Sequence, residues 1–256
     1  MQGPTAFLVA LAALSSAAPL HASEQSFRAE YSVTLLGLPI ARASFDSTFL
    51  EDRFTIAGTV ASTGVGRIFD DTKGTTQVEG AIGKDGAQPS SYVLDYVSDG
   101  KQGHTTIRFG GAGVESVVNR PEPKRRSPWV PLTADALHAT LDPITSTLIR
   151  TSDANEVCNR TIRFFDGELR ADLELTHMSI GALPGFDGEG VTCQARFVPV
   201  AGYRQGRRQI EFLRNRSRIT ISFAKLGETG FYTPVDASIG TQVGTVRVTA
   251  SRIALR

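Results

Sequence analysis

Three groups of side chains in this 256-residue sequence have types and spacings from which chemistry can be built. The first is acidic. Asp166-Gly167-Glu168 sets two carboxylates around a glycine, between runs whose polar and apolar residues roughly alternate. Such a pair could act as general acid and base or hold a metal ion. Asp-Gly between alternating runs is also a strong hairpin signal, because the tight turn needs a positive φ. Carboxylates at a hairpin tip are ordinarily solvated, so the turn is the reading adopted. Gly185-Phe186-Asp187-Gly188-Glu189-Gly190 offers oxygen atoms to calcium but lacks the spaced carboxylates of an EF-hand-type loop, and a flexible surface loop is expected. Asp70-Asp71 is uninformative. A hydrolase using strand-borne acids would draw on Asp95, Asp166 and Asp172, and needs at least two titratable groups converging in a cleft.

The second group is nucleophiles and metal ligands. The sequence has no Gly-x-Ser-x-Gly elbow, and Ser-x-x-Lys does not occur with its companion motifs. His104, His138 and His177 are scattered without the spacing of a zinc site. No phosphate-binding glycine pattern follows a strand and opens a helix. Neither a metal nor any other cofactor is expected, and catalytic residues are assigned to none of these positions.

The third group is basic. Lys124-Arg125-Arg126 lies beside Trp129, and Arg204, Arg207, Arg208, Arg214, Arg216 and Arg218 follow within a short span. If Phe212 to Arg218 were one strand, Arg214, Arg216 and Arg218 would share a face. If Asn215-Arg216-Ser217 were a tight turn, they would splay apart at its tip. Either arrangement suits anionic headgroups, phosphate or an acidic partner, which arginine matches bidentately. A solvated strand face and turn is the simpler reading.

The elements that must position these residues are mostly strands. Tyr31, Val33 and Leu35 alternate with polar neighbours, and so do Ile40 to Phe49, Arg53 to Ala61, Thr75 to Ala81, Ser91 to Val97, His104 to Phe109 and Gly113 to Val118. The pattern resumes in Cys158 to Phe165, Leu169 to His177, Val191 to Val200, Gln209 to Arg214, Ile219 to Leu226, Thr229 to Val235 and Val243 to Ile253. Glycine- and aspartate-rich turns separate them. A sheet of roughly a dozen strands tends to curl, split or close. One interruption stands out. Pro121 to Pro131 is too rich in proline and like charge for a central strand and reads as an extended connection. Asp142-Pro143 then pairs an N-cap with a first-turn proline, and Ile144, Leu148 and Ile149 form a helical stripe, so a short helix is expected in this region, about residues 120–150.

Residues 1–22, MQGPTAFLVALAALSSAAPLHA, read as a secretory signal peptide: an apolar run, then small residues and a small-residue cleavage site. The run is shorter than the ~20 apolar residues of a membrane span, and no later segment replaces it, so no transmembrane segment is expected. Residues 23–256 form one domain, with neither repeats nor a second composition regime. Lys and Arg number 27 against 26 Asp and Glu, a net charge of +1 that gives no electrostatic reason to bind nucleic acid. Export would expose Cys158 and Cys193 to an oxidising compartment, where a bridge between them is expected. Closing that loop would contribute roughly 4 kcal/mol in the chain-entropy account.

The signal, then Ala29-Glu30-Tyr31-Ser32-Val33 with Gly37-Leu38-Pro39-Ile40-Ala41, then Ser62-Thr63-Gly64-Val65-Gly66, Leu141-Asp142-Pro143-Ile144-Thr145-Ser146 and Cys158 ahead of Phe165-Asp166-Gly167, resemble the domain-of-unknown-function family 3108. In that pattern Asp-Gly is commonly followed by a basic residue. Here Glu168 follows, and the base comes at Arg170. The resemblance implies a periplasmic protein of Gram-negative type built on a large, strongly curved sheet, and no established activity.

The expected fold is therefore mainly β: a single large, strongly curved antiparallel sheet or incomplete β-barrel with one short α-helix packed against it. The expected function is that of a non-enzymatic periplasmic protein supporting envelope integrity. It would bind a lipidic or apolar ligand in the concave sheet, since curved sheets fill with side chains or hold a ligand, or would dock an envelope protein. A periplasmic hydrolase using strand-borne carboxylates is the alternative.

Overall fold

The computed structural model describes residues 24–183, 186 and 188–256. The proposed signal peptide and two residues of the acidic loop, Gly185 and Asp187, lie outside the described residues.

Seven strands run consecutively from the N-terminal side: β1 (Gln25–Leu35), β2 (Leu38–Phe49), β3 (Arg53–Ser62), β4 (Thr72–Gly83), β5 (Gly86–Ser98), β6 (Lys101–Gly110) and β7 (Gly113–Arg120), with the short helix α1 (Gly66–Phe69) between β3 and β4. Their connections are tight for a local reason. Leu36-Gly37 and Asp99-Gly100 both carry positive φ at their two positions, the backbone of a two-residue hairpin turn matched to strand twist. A connecting region follows, with β8 (Trp129–Val130), α2 (Ala134–Leu137) and β9 (Ile149–Arg150). The remaining elements are β10 (Arg160–Phe165), β11 (Arg170–Ala182), β12 (Glu189–Ala201), β13 (Tyr203–Arg204), α3 (Arg208–Asn215), β14 (Ile219–Lys225), β15 (Phe231–Thr241) and β16 (Gly244–Leu255).

The main sheet is antiparallel throughout, in the order β10-β11-β12-β14-β15-β16-β1-β2-β3-β4-β5-β6-β7. The last strand of the chain, β16, thus pairs with the first, β1, and joins two runs into one surface: Val33 opposes Val248 and Leu35 opposes Val246. Each run wraps its own core. Phe54, Ile56, Val78, Tyr92 and Ile107 lie at the centre of one, and Leu175, Val191, Ala195 and Phe223 of the other. Phe165, Leu226 and Phe231 reach from the second run into the first core. The Cys158–Cys193 disulfide, fully buried, ties the approach to β10 to the middle of β12.

The ladder does not close: β7 and β10 are edges with no hydrogen bonds between them. The connecting region occupies the space between them. Gly113 bridges to His138, Leu141 bridges in parallel to Phe164, and Phe165 N donates to Leu141 O. Leu132, Leu137, Ile144 and Leu148 then pack on the first core. A short helix does lie within residues 120–150, as α2, but two finer expectations about helices are corrected. Asp142 does cap, accepting from Ile144 N and Thr145 N, but the turn it starts is a single 3-10 turn, Thr145–Thr147. The chain extends at Leu148 and pairs Ile149 and Arg150 with Tyr232 and Phe231. Strand pairing outweighs the helical stripe in a segment of β-branched residues. Among the described residues the longest helix is instead α3, where Gln209 to Arg214 reads as a strand. Ile210 and Phe212 fit a period of two while Ile210 and Leu213 fit a helical face, and burial of Ile210 with Leu213 against the second core decides it. Among the described residues no helix is long and apolar enough to cross a membrane.

Candidate functional site

The concave face of β1 and β2 holds an apolar cavity of about 310 Å³, at the lower end of the ~300–1,000 Å³ range of small-molecule sites. It exists because of how rings and small residues alternate. Ala29 opposes Phe45 and Ala43 opposes Tyr31, so each aromatic ring faces a methyl group across the ladder rather than another bulky side chain. Tyr31 and Phe45 meet edge to face at 5.9 Å. The cavity's other wall is the connecting region, through Pro143, Ile144 and Leu148. No charged side chain lines it. The half-buried Tyr31 donates its hydroxyl to Pro234 O at 2.8 Å, and desolvation by the surrounding apolar groups pushes its pKa up to about 12. Gly58 makes the space for one wall: a Cβ there would lie 2.6 Å from Phe45 Cδ1 and 2.8 Å from Thr76 Cγ2. Sequence reasoning missed Gly58, because a glycine in an alternating strand signals only a close approach, not which side chain approaches.

Next to this cavity the two most specific sequence segments meet. The Leu141 bridge sets Asp142 beside Phe165-Asp166-Gly167. Asp142 is fully buried. Its Oδ1 takes two backbone amides at 2.8 and 2.9 Å, while its Oδ2 and Thr145 Oγ1 have no hydrogen-bond partner. Burial raises the pKa of Asp142 and of Asp166. Tyr92, across the first core, is pushed up to about 12, first by burial and then by the Asp142 charge.

Asp166 does form the expected turn, accepting from Glu168 N at 2.9 Å and Leu169 N at 2.7 Å. The expectation of a solvated tip holds for the exposed Glu168 and is corrected for the half-buried Asp166 and for Gly167. Gly167, at φ 104°, is buried; its carbonyl accepts from Asn119 Nδ2 at 2.7 Å, and a Cβ would lie 2.5 Å from Thr105 Cγ2. The tip is thus docked on β6 and β7 across the open edges. Arg170 is also buried. Its Nε donates to Ala136 O at 2.8 Å and its Nη1 pairs with Asp172, fastening the hairpin to α2. Gly167 and Arg170 thus fasten the hairpin to its neighbours, while Asp166 is half-buried within its own turn and Glu168 is exposed.

The other candidates are dispersed. Asp95 and His104 Nδ1 lie 2.7 Å apart, and His104 Nε2 and Thr106 Oγ1 lie 2.8 Å apart. This chain occupies the face of β5 and β6 opposite Tyr92 and Ile107, since strand neighbours alternate. Asp95, Asp166 and Asp172 each have separate partners and share no hydrogen bond. Among the described residues no cluster of three or more His, Cys, Asp or Glu could hold a metal ion. Asp70 accepts from Thr72 and Ser98 hydroxyls, which lower its pKa. Arg214 lies on α3, paired with Glu211; Arg216 caps that helix and Arg218 precedes β14. They form neither a strand face nor a hairpin tip, because the helix replaces both arrangements.

A family model described as a protein of unknown function (DUF3108) matches residues 30–251. No curated protein matches the sequence. Among solved structures, the crystal structure of a beta-barrel-like protein of domain of unknown function DUF1849 from Brucella abortus is similar at 10% identity. That likeness covers 91% of this chain and 98% of that one, with a TM-score of 0.49.

Proposed function

Because this chain belongs to the DUF3108 family, whose description assigns no activity, we propose its role from the site itself: a non-enzymatic periplasmic protein that supports the cell envelope by holding a lipidic or other apolar ligand in its concave sheet. The observation that carries this reading is the ring-walled cavity between β1, β2 and the connecting region, free of charged lining residues. Apolar burial there favours a ligand by about 25 cal/mol per Å² removed from water. The absence of a charge matched to a headgroup favours an acyl chain or a neutral apolar body over a polar substrate.

The reading predicts that protein purified from periplasm carries an extractable lipid, seen as added mass in native mass spectrometry. It also predicts that Ala43→Phe, which fills the cavity opposite Tyr31, weakens binding of a fluorescent fatty-acid probe by roughly tenfold or more, as expected for displacing a few methylenes at ~0.8 kcal/mol each. A bare mass together with unchanged probe binding in Ala43→Phe would sink it.

A further inference from the structure

We propose that one end of the sheet, formed by the β1–β2 turn, the β15–β16 turn and α1, docks on the surface of an anionic lipid bilayer, and that the cavity exchanges its ligand through this end. The second half of this statement rests on the ligand-holding reading above; the first does not.

Four large aliphatic side chains stand in solvent here: Leu36 is 69% exposed, Leu38 55%, Ile68 80% and Val243 69%. They come from three connections that touch. Leu36 N donates to Thr245 O at 3.0 Å, and a Cβ on Gly244 would lie 2.5 Å from Leu36 Cδ2. Thr63 N donates to Ile40 O at 2.9 Å, and a Cβ on Gly66 would lie 2.1 Å from that same oxygen, so α1 lies against the start of β2. Contiguous exposed apolar groups rimmed by polar residues mark an interaction surface. These sit on convex turn tips rather than in a groove. A bilayer interface receives such separate points without needing a complementary shape, whereas a protein partner must supply one.

The rim has the charge an anionic surface requires. Arg67 is on α1. Gln242 Nε2 donates to Arg208 O, and Gly240 N to Arg218 O, so the start of α3 and the residue before β14 flank the β15–β16 turn. Among the described residues Arg67, Arg208, Arg216 and Arg218 make no ion pair. The acids of this end, Asp70, Asp71 and Asp99, are held together on the β4 and β5 side by bonds with Thr72, Ser98 and each other. From Tyr31 in the cavity wall, Val33 and Leu35 continue along β1 to these tips. They oppose Val248 and Val246, and Val246 opposes Ile239, so a half-buried apolar strip runs from cavity to end.

The test is co-sedimentation of the mature chain with phosphatidylglycerol–phosphatidylcholine vesicles and with pure phosphatidylcholine. Binding is expected to the former, falling with salt. Leu36→Asn with Val243→Ser should weaken it by roughly tenfold or more, since each tip loses apolar burial; asparagine tolerates the φ of 51° at position 36. Arg216→Glu with Arg218→Glu should weaken it similarly, with unchanged circular dichroism in both variants. Equal or absent binding to the two vesicles, or full binding by the tip variant, overturns the docking. A self-association of the wild type lost in the tip variant would overturn it in favour of a protein contact. For ligand exchange, transfer of the fatty-acid probe from vesicles should slow in the tip variant while its binding in solution is kept; unchanged transfer overturns that half. If the probe binds neither protein, the cavity reading fails and docking stands on the vesicle result alone.

Discussion

Asp142 hydrogen-bonds two backbone amides through one carboxylate oxygen and leaves the other without a partner inside the protein. Burial raises its folded-state pKa, and that of Asp166. The unfolded chain therefore releases protons in a range where the folded chain keeps them. The contribution to stability is fully present below the unfolded value, about 4, and is lost as pH rises through the raised folded values. Asp142→Asn, which keeps an acceptor for both amides and cannot ionise, should make the decline in stability as pH rises above about 4 shallower than in the wild type. Asp142→Ala should lose about 1–3 kcal/mol at low pH, where the acid is neutral, because two buried donors are stranded. Urea denaturation with the disulfide intact reads both, and an Asn variant as steep as the wild type would remove the buried acid as the cause. The cap at Asp142 and the turn at Asp166-Gly167 are both legible in sequence, since each uses local backbone bonds. Their burial is not, because it depends on Phe164, Asn119 and Thr105 arriving from elsewhere in the chain.

At the scale of elements, the cystine holds the segment before β10 to β12, with β11 hydrogen-bonded between those strands. Replacing Cys158 and Cys193 by serine should cost about 2–5 kcal/mol, measured as a lower urea midpoint with a steeper slope, because the uncrosslinked unfolded chain exposes more surface. A loss under 1 kcal/mol would mean that the strand pairing alone sets the register of this hairpin. Strand identity and approximate bounds follow from alternation in nearly every strand of the main sheet. The elements read wrongly, the helix at Asp142 and the strand at Gln209 to Arg214, are short windows in which two periods fit equally. Pairing of Ile149 with Tyr232 and burial of Ile210 settle them, and both are contacts over long sequence separations.

Over the whole molecule, two cores share one sheet through the β16–β1 ladder, and Phe165, Leu226 and Phe231 extend from one run into the core of the other. Unfolding should therefore be a single transition by Trp129 fluorescence and by far-ultraviolet circular dichroism. Phe231→Ala should lower stability by about 3–5 kcal/mol with the two probes still coincident; separate midpoints in the wild type would show two independent units. The mainly-β class, the curved antiparallel sheet, the tight Asp-Gly turns and the family resemblance are all determined by the sequence alone, because period, turn chemistry and motif order are properties of residues close together along the chain. The tertiary structure alone decided that β1 and β16 join the two halves, that the connecting region lies between the open edges, and that the glycine of the acidic tip docks on β7 while the cavity beside Tyr31 stays empty of side chains. Each of those outcomes depends on which distant surfaces exclude water together, and no local pattern encodes that choice.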